Sequence, residues 1–141
     1  MKYKLPDFTL DLPEGSKDCS IYAFLLTSSK GNTFNVTVRR HYLSGNSVFT
    51  KYINEDITAR MTSGENYDLA WKKKYYHEGR EGIITAGTLK GADTQQIDER
   101  RLYLFSEKIL FILTAFTQGI FTTEQLDTLN HFVKGFSFDR S

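Results

Sequence analysis

Residues 20–26 read Ser-Ile-Tyr-Ala-Phe-Leu-Leu, a run that is apolar on both faces of any strand it forms. Side chains along a strand point alternately to the two faces of a sheet. The two sets here are Ile21, Ala23 and Leu25 on one face, and Tyr22, Phe24 and Leu26 on the other. A small antiparallel sheet usually buries one face and exposes the other. The second apolar face therefore has to be covered, either by this chain or by another molecule.

Size and composition place the chain among ordinary globular proteins. A length of 141 residues with only 2 Pro predicts a single domain spanning residues 1–141. The net charge of +1 gives no overall field that would attract nucleic acid or an anionic membrane. Residues 1–7 lack the apolar stretch and small-residue cleavage site typical of a secretory signal, and the longest apolar run, residues 109–116, is too short to cross a bilayer as a helix. A lone Cys19 fits a reducing compartment, so we expect a soluble, cytoplasmic protein with no membrane insertion.

Alternating apolar residues between turn signals predict an α+β fold. A first helix is predicted over residues 48–57, with Ser47 or Asn46 as its cap. A second helix is predicted after Thr122, whose spacing to Gln125 is that of a capping box, and Gly135 is expected to end it. The last strand is apolar on both faces, which predicts a central position in a mostly antiparallel sheet of six to seven strands. The predicted strands lie near residues 8–12, 20–26, 34–39, 67–76, 83–89, 97–105 and 109–116.

Residues that could carry catalysis are scarce. Cys19, beside Asp18 and Ser20, could in principle be a nucleophile, but the sequence assigns it no cationic partner and a buried Cys is usually inert packing. The three histidines, His41, His77 and His131, lack the spacing of a metal site. No glycine-rich loop, nucleophile elbow or zinc-protease motif is present. We expect no enzymatic activity, no cofactor and no metal.

One basic and aromatic cluster, residues 72–76, has two interpretations. Three lysines and two tyrosines could pair phosphate contacts with base stacking. Successive lysines of a strand face opposite ways, however, and Asp68, Glu78 and Glu81 lie nearby in sequence. We favour an edge strand that its lysines protect from aggregation.

The surplus of apolar surface also has two interpretations. One helix on each face of the sheet, or a homodimer, would bury it within the protein itself. Alternatively, the second face of residues 20–26 and 109–116 forms a groove for an apolar partner, such as an extended or helical peptide.

The chain resembles DcrB-related domains with a PsbP-like curved sheet, and in particular the Eag chaperones of type VI secretion systems. The resemblance covers nearly the whole chain and rests on the order and spacing of short motifs. The matching positions are Leu12-Pro13, Asp18-x-Ser20-Ile21-x-x-Phe24, Arg40 five residues before Gly45, Phe49-x-x-Tyr52, and Tyr67-x-Leu69 ahead of Gly79.

This resemblance implies a cytoplasmic, dimeric adaptor-chaperone without catalytic activity. Such proteins bind the hydrophobic amino-terminal transmembrane segments of a secreted effector of the PAAR or Rhs type. They shield those segments from water and aid loading onto the VgrG spike. A DcrB/PsbP-like binding or structural module of another pathway is the alternative.

The resemblance also implies a set of partner-binding residues. Ile21 and Ala23 match positions that line the family's groove, and Leu25 shares their face. Asp56 and Arg101 fall where better-known members use Gln to hydrogen-bond the bound helices, and an acid and a base at these positions could instead pair with each other.

Overall fold

The computed structural model describes residues 13–15, 20–42, 49–62, 66–90 and 95–138. These residues form six strands and two helices, which confirms the predicted α+β class. Cys19, the predicted strand near residues 8–12 and the predicted cap at Asn46 or Ser47 lie outside the described residues. The elements in chain order are β1 Ile21–Thr27, β2 Thr33–Tyr42, α1 Phe49–Thr62, β3 Tyr67–His77, β4 Arg80–Lys90, β5 Gln96–Ser106, β6 Ile109–Gln118 and α2 Thr123–Lys134.

The six strands form one antiparallel sheet in the order β1-β2-β6-β5-β4-β3. β6 therefore lies inside the sheet, as its two apolar faces predicted. β3 lies at one edge of the described sheet, and Lys72, Lys73 and Lys74 are all exposed there. The edge position predicted for the lysine cluster is confirmed, and protection from aggregation stays a prediction.

One face of the sheet packs against α2 and is called the α2 face. Leu129 and Val133 of this helix are buried against strand residues such as Phe34 and Val36. The helix begins with the predicted capping box, in which Thr122 and Gln125 exchange side-chain and backbone hydrogen bonds of 3.1 and 3.0 Å. Gly135 caps its end, as predicted.

The opposite face packs against α1 and is called the α1 face. Ile53 and Ile57 of α1 are buried with Tyr103, Leu110 and Ile112 of the two central strands. The structure therefore has one helix on each face, as the simpler of the two interpretations predicted. The apolar cluster under α1 draws on β3, β4, β5 and β6 and contains no residue of β1. No helix among the described residues covers the β1 side of the α1 face.

Candidate functional site

The two faces of β1 differ sharply in exposure. On the α1 face, Ile21 and Leu25 are 62% and 65% exposed, and Ala23 between them is also exposed. On the α2 face the alternate residues are half-buried, and the ring of Phe24 lies 5.9 Å from that of Phe132 in α2. The orientation predicted for this strand is confirmed. The apolar residues of the α1 face stay a predicted binding surface.

Strand pairing extends this apolar row into a mixed surface. Ile21, Ala23 and Leu25 lie directly opposite Arg39, Thr37 and Asn35 of β2. We call these six residues the open strip. The apolar part lies on β1, and the polar part lies one strand inward, with α1 standing beyond it on the same face. The open strip can therefore bind a segment that is apolar on one side and meets polar groups on the other.

Asp56 of α1 and Arg101 of β5 contact each other between the helix and the sheet. A guanidinium nitrogen of Arg101 donates to the Asp56 carboxylate at 3.2 Å, and the hydroxyl of Tyr103 donates to the same carboxylate oxygen at 2.7 Å. The side chain of Arg101 is only 12% exposed, and that of Asp56 is 18% exposed. The ion pair that the sequence allowed is present, and it joins α1 to β5.

A second ion pair continues this network, and the sequence reading missed it. The guanidinium of Arg60 donates two hydrogen bonds, of 2.7 and 2.6 Å, to the carboxylate of Glu99, and Arg101 lies 3.8 Å from that carboxylate. Glu99 is 4% exposed. The sequence holds part of the signal, since residues 56 and 60 are four apart on a helix and residues 99, 101 and 103 share one face of a strand, but it does not show that this helix packs on this strand.

Two acids and two arginines balance the charge of this buried network. Burial opposes the charged form of Arg60, but the hydrogen bond and charge of Glu99 outweigh it and raise the pKa of the guanidinium. Ile53 and Ile57 are the buried residues of α1, and the ion pairs add a second set of contacts between this helix and the sheet. Asp56 and Arg101 stay predicted partner-binding residues, and their charges are already matched inside the protein.

The tyrosines of this network predict a loss of stability at alkaline pH. Burial raises the pKa of Tyr103 and of Tyr67 above the ordinary value of 10.0, so the folded state holds these protons more tightly than the unfolded chain. This contribution is complete below the unfolded pKa and is lost as pH rises through the folded pKa. We expect the free energy of unfolding, measured with urea between about pH 9 and pH 11, to fall less steeply in Tyr103→Phe. Equal slopes for both proteins would contradict this assignment.

The described residues contain no group of three or more His, Cys, Asp or Glu side chains that could hold a metal ion. His41 is exposed and stacks on Tyr52 at 4.4 Å, and His77 is buried beside the backbone carbonyl of Phe136 at 2.5 Å. Within the same part of the chain, neither helix has the length and apolar character needed to cross a membrane.

Comparison with solved structures places the fold among known ones. A protein of unknown function from Pseudomonas aeruginosa, PA94, superposes with a TM-score of 0.77 at 15% identity, covering 99% of this chain and 96% of that one. The solution structure of cyanobacterial PsbP from Synechocystis superposes with a TM-score of 0.48 at 9% identity, covering 88% and 93%. No protein-family model and no curated protein matches the chain. The likeness to PA94 establishes a shared fold.

Proposed function

We propose that this protein is a non-catalytic binding protein that covers an apolar segment of a partner with the open strip. The observation that carries this proposal is the exposure of Ile21 and Leu25 on a strand whose other face packs into the core. Covering exposed apolar surface yields roughly 25 cal/mol per Å². The same contact would cover the apolar surface of a poorly soluble partner segment and so keep that segment in solution.

The partner class that best fits the sequence motifs is a type VI secretion effector with amino-terminal transmembrane segments, of the PAAR or Rhs type. In that role the protein is a cytoplasmic adaptor-chaperone, a homodimer that shields those segments and aids their loading onto the VgrG spike. The resemblance to Eag chaperones supports this role, and the exposed positions 21, 23 and 25 are the ones that the resemblance implies. A membrane helix in water exposes unshielded apolar surface, so an apolar strip has a strong driving force to bind it.

Co-expression tests this proposal. The protein is produced with the amino-terminal fragment of an effector encoded beside its gene, and the complex is purified through a tag on the fragment. We expect a soluble complex with the wild-type protein and its loss with Ile21→Asp, because the substitution replaces apolar contact surface on the open strip with a charged group that binding would have to strip of water. Ile120→Asp is the matched control, since Ile120 is 74% exposed on the loop before α2.

Two outcomes would count against the proposal. Equal co-purification of Ile21→Asp and the wild-type protein would show that the open strip does not bind the segment. Failure of every neighbouring membrane-segment fragment to bind, together with a gene neighbourhood free of secretion components, would favour a DcrB/PsbP-like module of another pathway.

A further inference from the structure

Arg39 is the charged member of the open strip. It lies on β2 directly opposite Ile21, and its side chain is half-buried on the α1 face. Its neighbour along β6 is Ile112, which is fully buried. A guanidinium thus lies between the exposed apolar row of β1 and the apolar cluster under α1.

Among the described residues, none forms a hydrogen bond or ion pair with the side chain of Arg39. Asp56 of α1 is an acid of the same face, and its carboxylate already accepts from Arg101 and Tyr103. From its own strand, His41 lies beyond Arg39 and stacks on Tyr52. The charges of Asp56, Arg39 and Arg101 all act on the pKa of Tyr52, so these groups lie near one another. The guanidinium of Arg39 thus has no counter-charge among the described residues.

This arrangement constrains any segment that covers the open strip. Such a segment would take Arg39 out of water together with Ile21, and burying a charge without a partner is strongly unfavourable. Resting on the proposed function, we propose that the bound segment carries a carboxylate side chain that pairs with Arg39. Arginine suits this task because its planar fork of donors matches a carboxylate at two points.

The bound segment also has a defined direction along the open strip. The other end of the open strip, at Leu25 and Asn35, has no charge. Lys30, in the turn beyond that end, pairs with Glu124 of α2 at 3.2 Å. The carboxylate of the partner therefore lies at the Ile21 end of the strip, and the neutral part of the apolar segment lies along Ala23 and Leu25.

A pair of synthetic peptides tests this inference. Both are amphipathic helices of about 18 residues with one Leu/Ala face, long enough for five turns. They are amidated at the carboxyl end and differ only in two terminal residues, Glu-Glu in one and Gln-Gln in the other. Fluorescence anisotropy in low salt measures their binding to the whole protein.

We expect the wild-type protein to bind the Glu peptide about tenfold more tightly, and Arg39→Gln to abolish that preference. Lys74→Gln, which removes an exposed lysine of β3, should keep it.

The outcomes separate this inference from the proposed function. Equal affinities of the two peptides for the wild-type protein, with both lost in Ile21→Asp, would overturn the role of Arg39 and leave the open strip as the binding surface. Binding of neither peptide would overturn both. The wild-type comparison needs no variant, so a folding defect in Arg39→Gln does not affect it.

Discussion

Replacing Glu99 with alanine is expected to lower the free energy of unfolding by about 3–5 kcal/mol. Glu99 accepts both hydrogen bonds from Arg60 and lies 3.8 Å from Arg101, and all three side chains are largely buried. Without this carboxylate the guanidinium of Arg60 loses its counter-charge in a site that water reaches poorly, and Arg101 keeps only its pair with Asp56. Equilibrium unfolding in urea, followed by circular dichroism, measures the change.

Glu81→Ala is the control for this prediction. Glu81 also pairs with a cation, Lys74 at 3.8 Å, but the two side chains are 52% and 72% exposed. Pairs of this kind stabilise by less than about 1 kcal/mol. If Glu99→Ala and Glu81→Ala lower the stability by the same small amount, the ion pairs under α1 do not hold this helix on the sheet.

Phe34→Ala is expected to lower the free energy of unfolding by about 3–5 kcal/mol, while Leu25→Ala changes it by less than about 0.5 kcal/mol. Phe34 is 1% exposed, packs on the α2 face and lies 5.7 Å from the ring of Phe121. Leu25 is 65% exposed on the neighbouring strand and points to the α1 face. The same chemical change thus leaves a cavity at one position and removes only solvated surface at the other.

The comparison of these two variants also bears on function. An apolar side chain that contributes nothing to folding needs another explanation, and binding is the one proposed here. A loss of more than about 1 kcal/mol in Leu25→Ala would place Leu25 in the folded core of the protein and argue against an open strip. Urea unfolding of both variants under identical conditions provides the measurement.

Local patterns in the sequence were sufficient to predict most of the fold. The period of two in residues 20–26 reduced the orientation of β1 to two choices, and the family resemblance selected the one that the structure shows. The spacing of Thr122 and Gln125 located the start of α2, since a capping box satisfies backbone groups at one defined position. Apolar residues on both faces of β6 indicated its place inside the sheet.

Long-range polar pairing could not be predicted in the same way. The contact of Arg60 with Glu99 joins residues 39 positions apart, and no local period sets such a distance. The position of α1 over β5 decides that Asp56 and Arg101 meet each other, whereas the family resemblance assigned both to the partner. Arg39 looked like an ordinary polar residue of an alternating strand. Only the register with Ile21 shows it beside the apolar row.

Site-specific photocrosslinking tests the central claim most directly. p-Benzoylphenylalanine replaces Leu25 on the open strip, Ile120 on the loop before α2, or Lys51 on α1, and each protein is co-expressed with the effector fragment that it solubilises. Leu25 and Ile120 are similarly exposed, at 65% and 74%, so exposure alone would crosslink both. We predict a crosslink to the apolar segment of the fragment from position 25 and none from positions 120 or 51. Crosslinking from position 120 or 51 with none from position 25 would contradict the open strip as the binding surface.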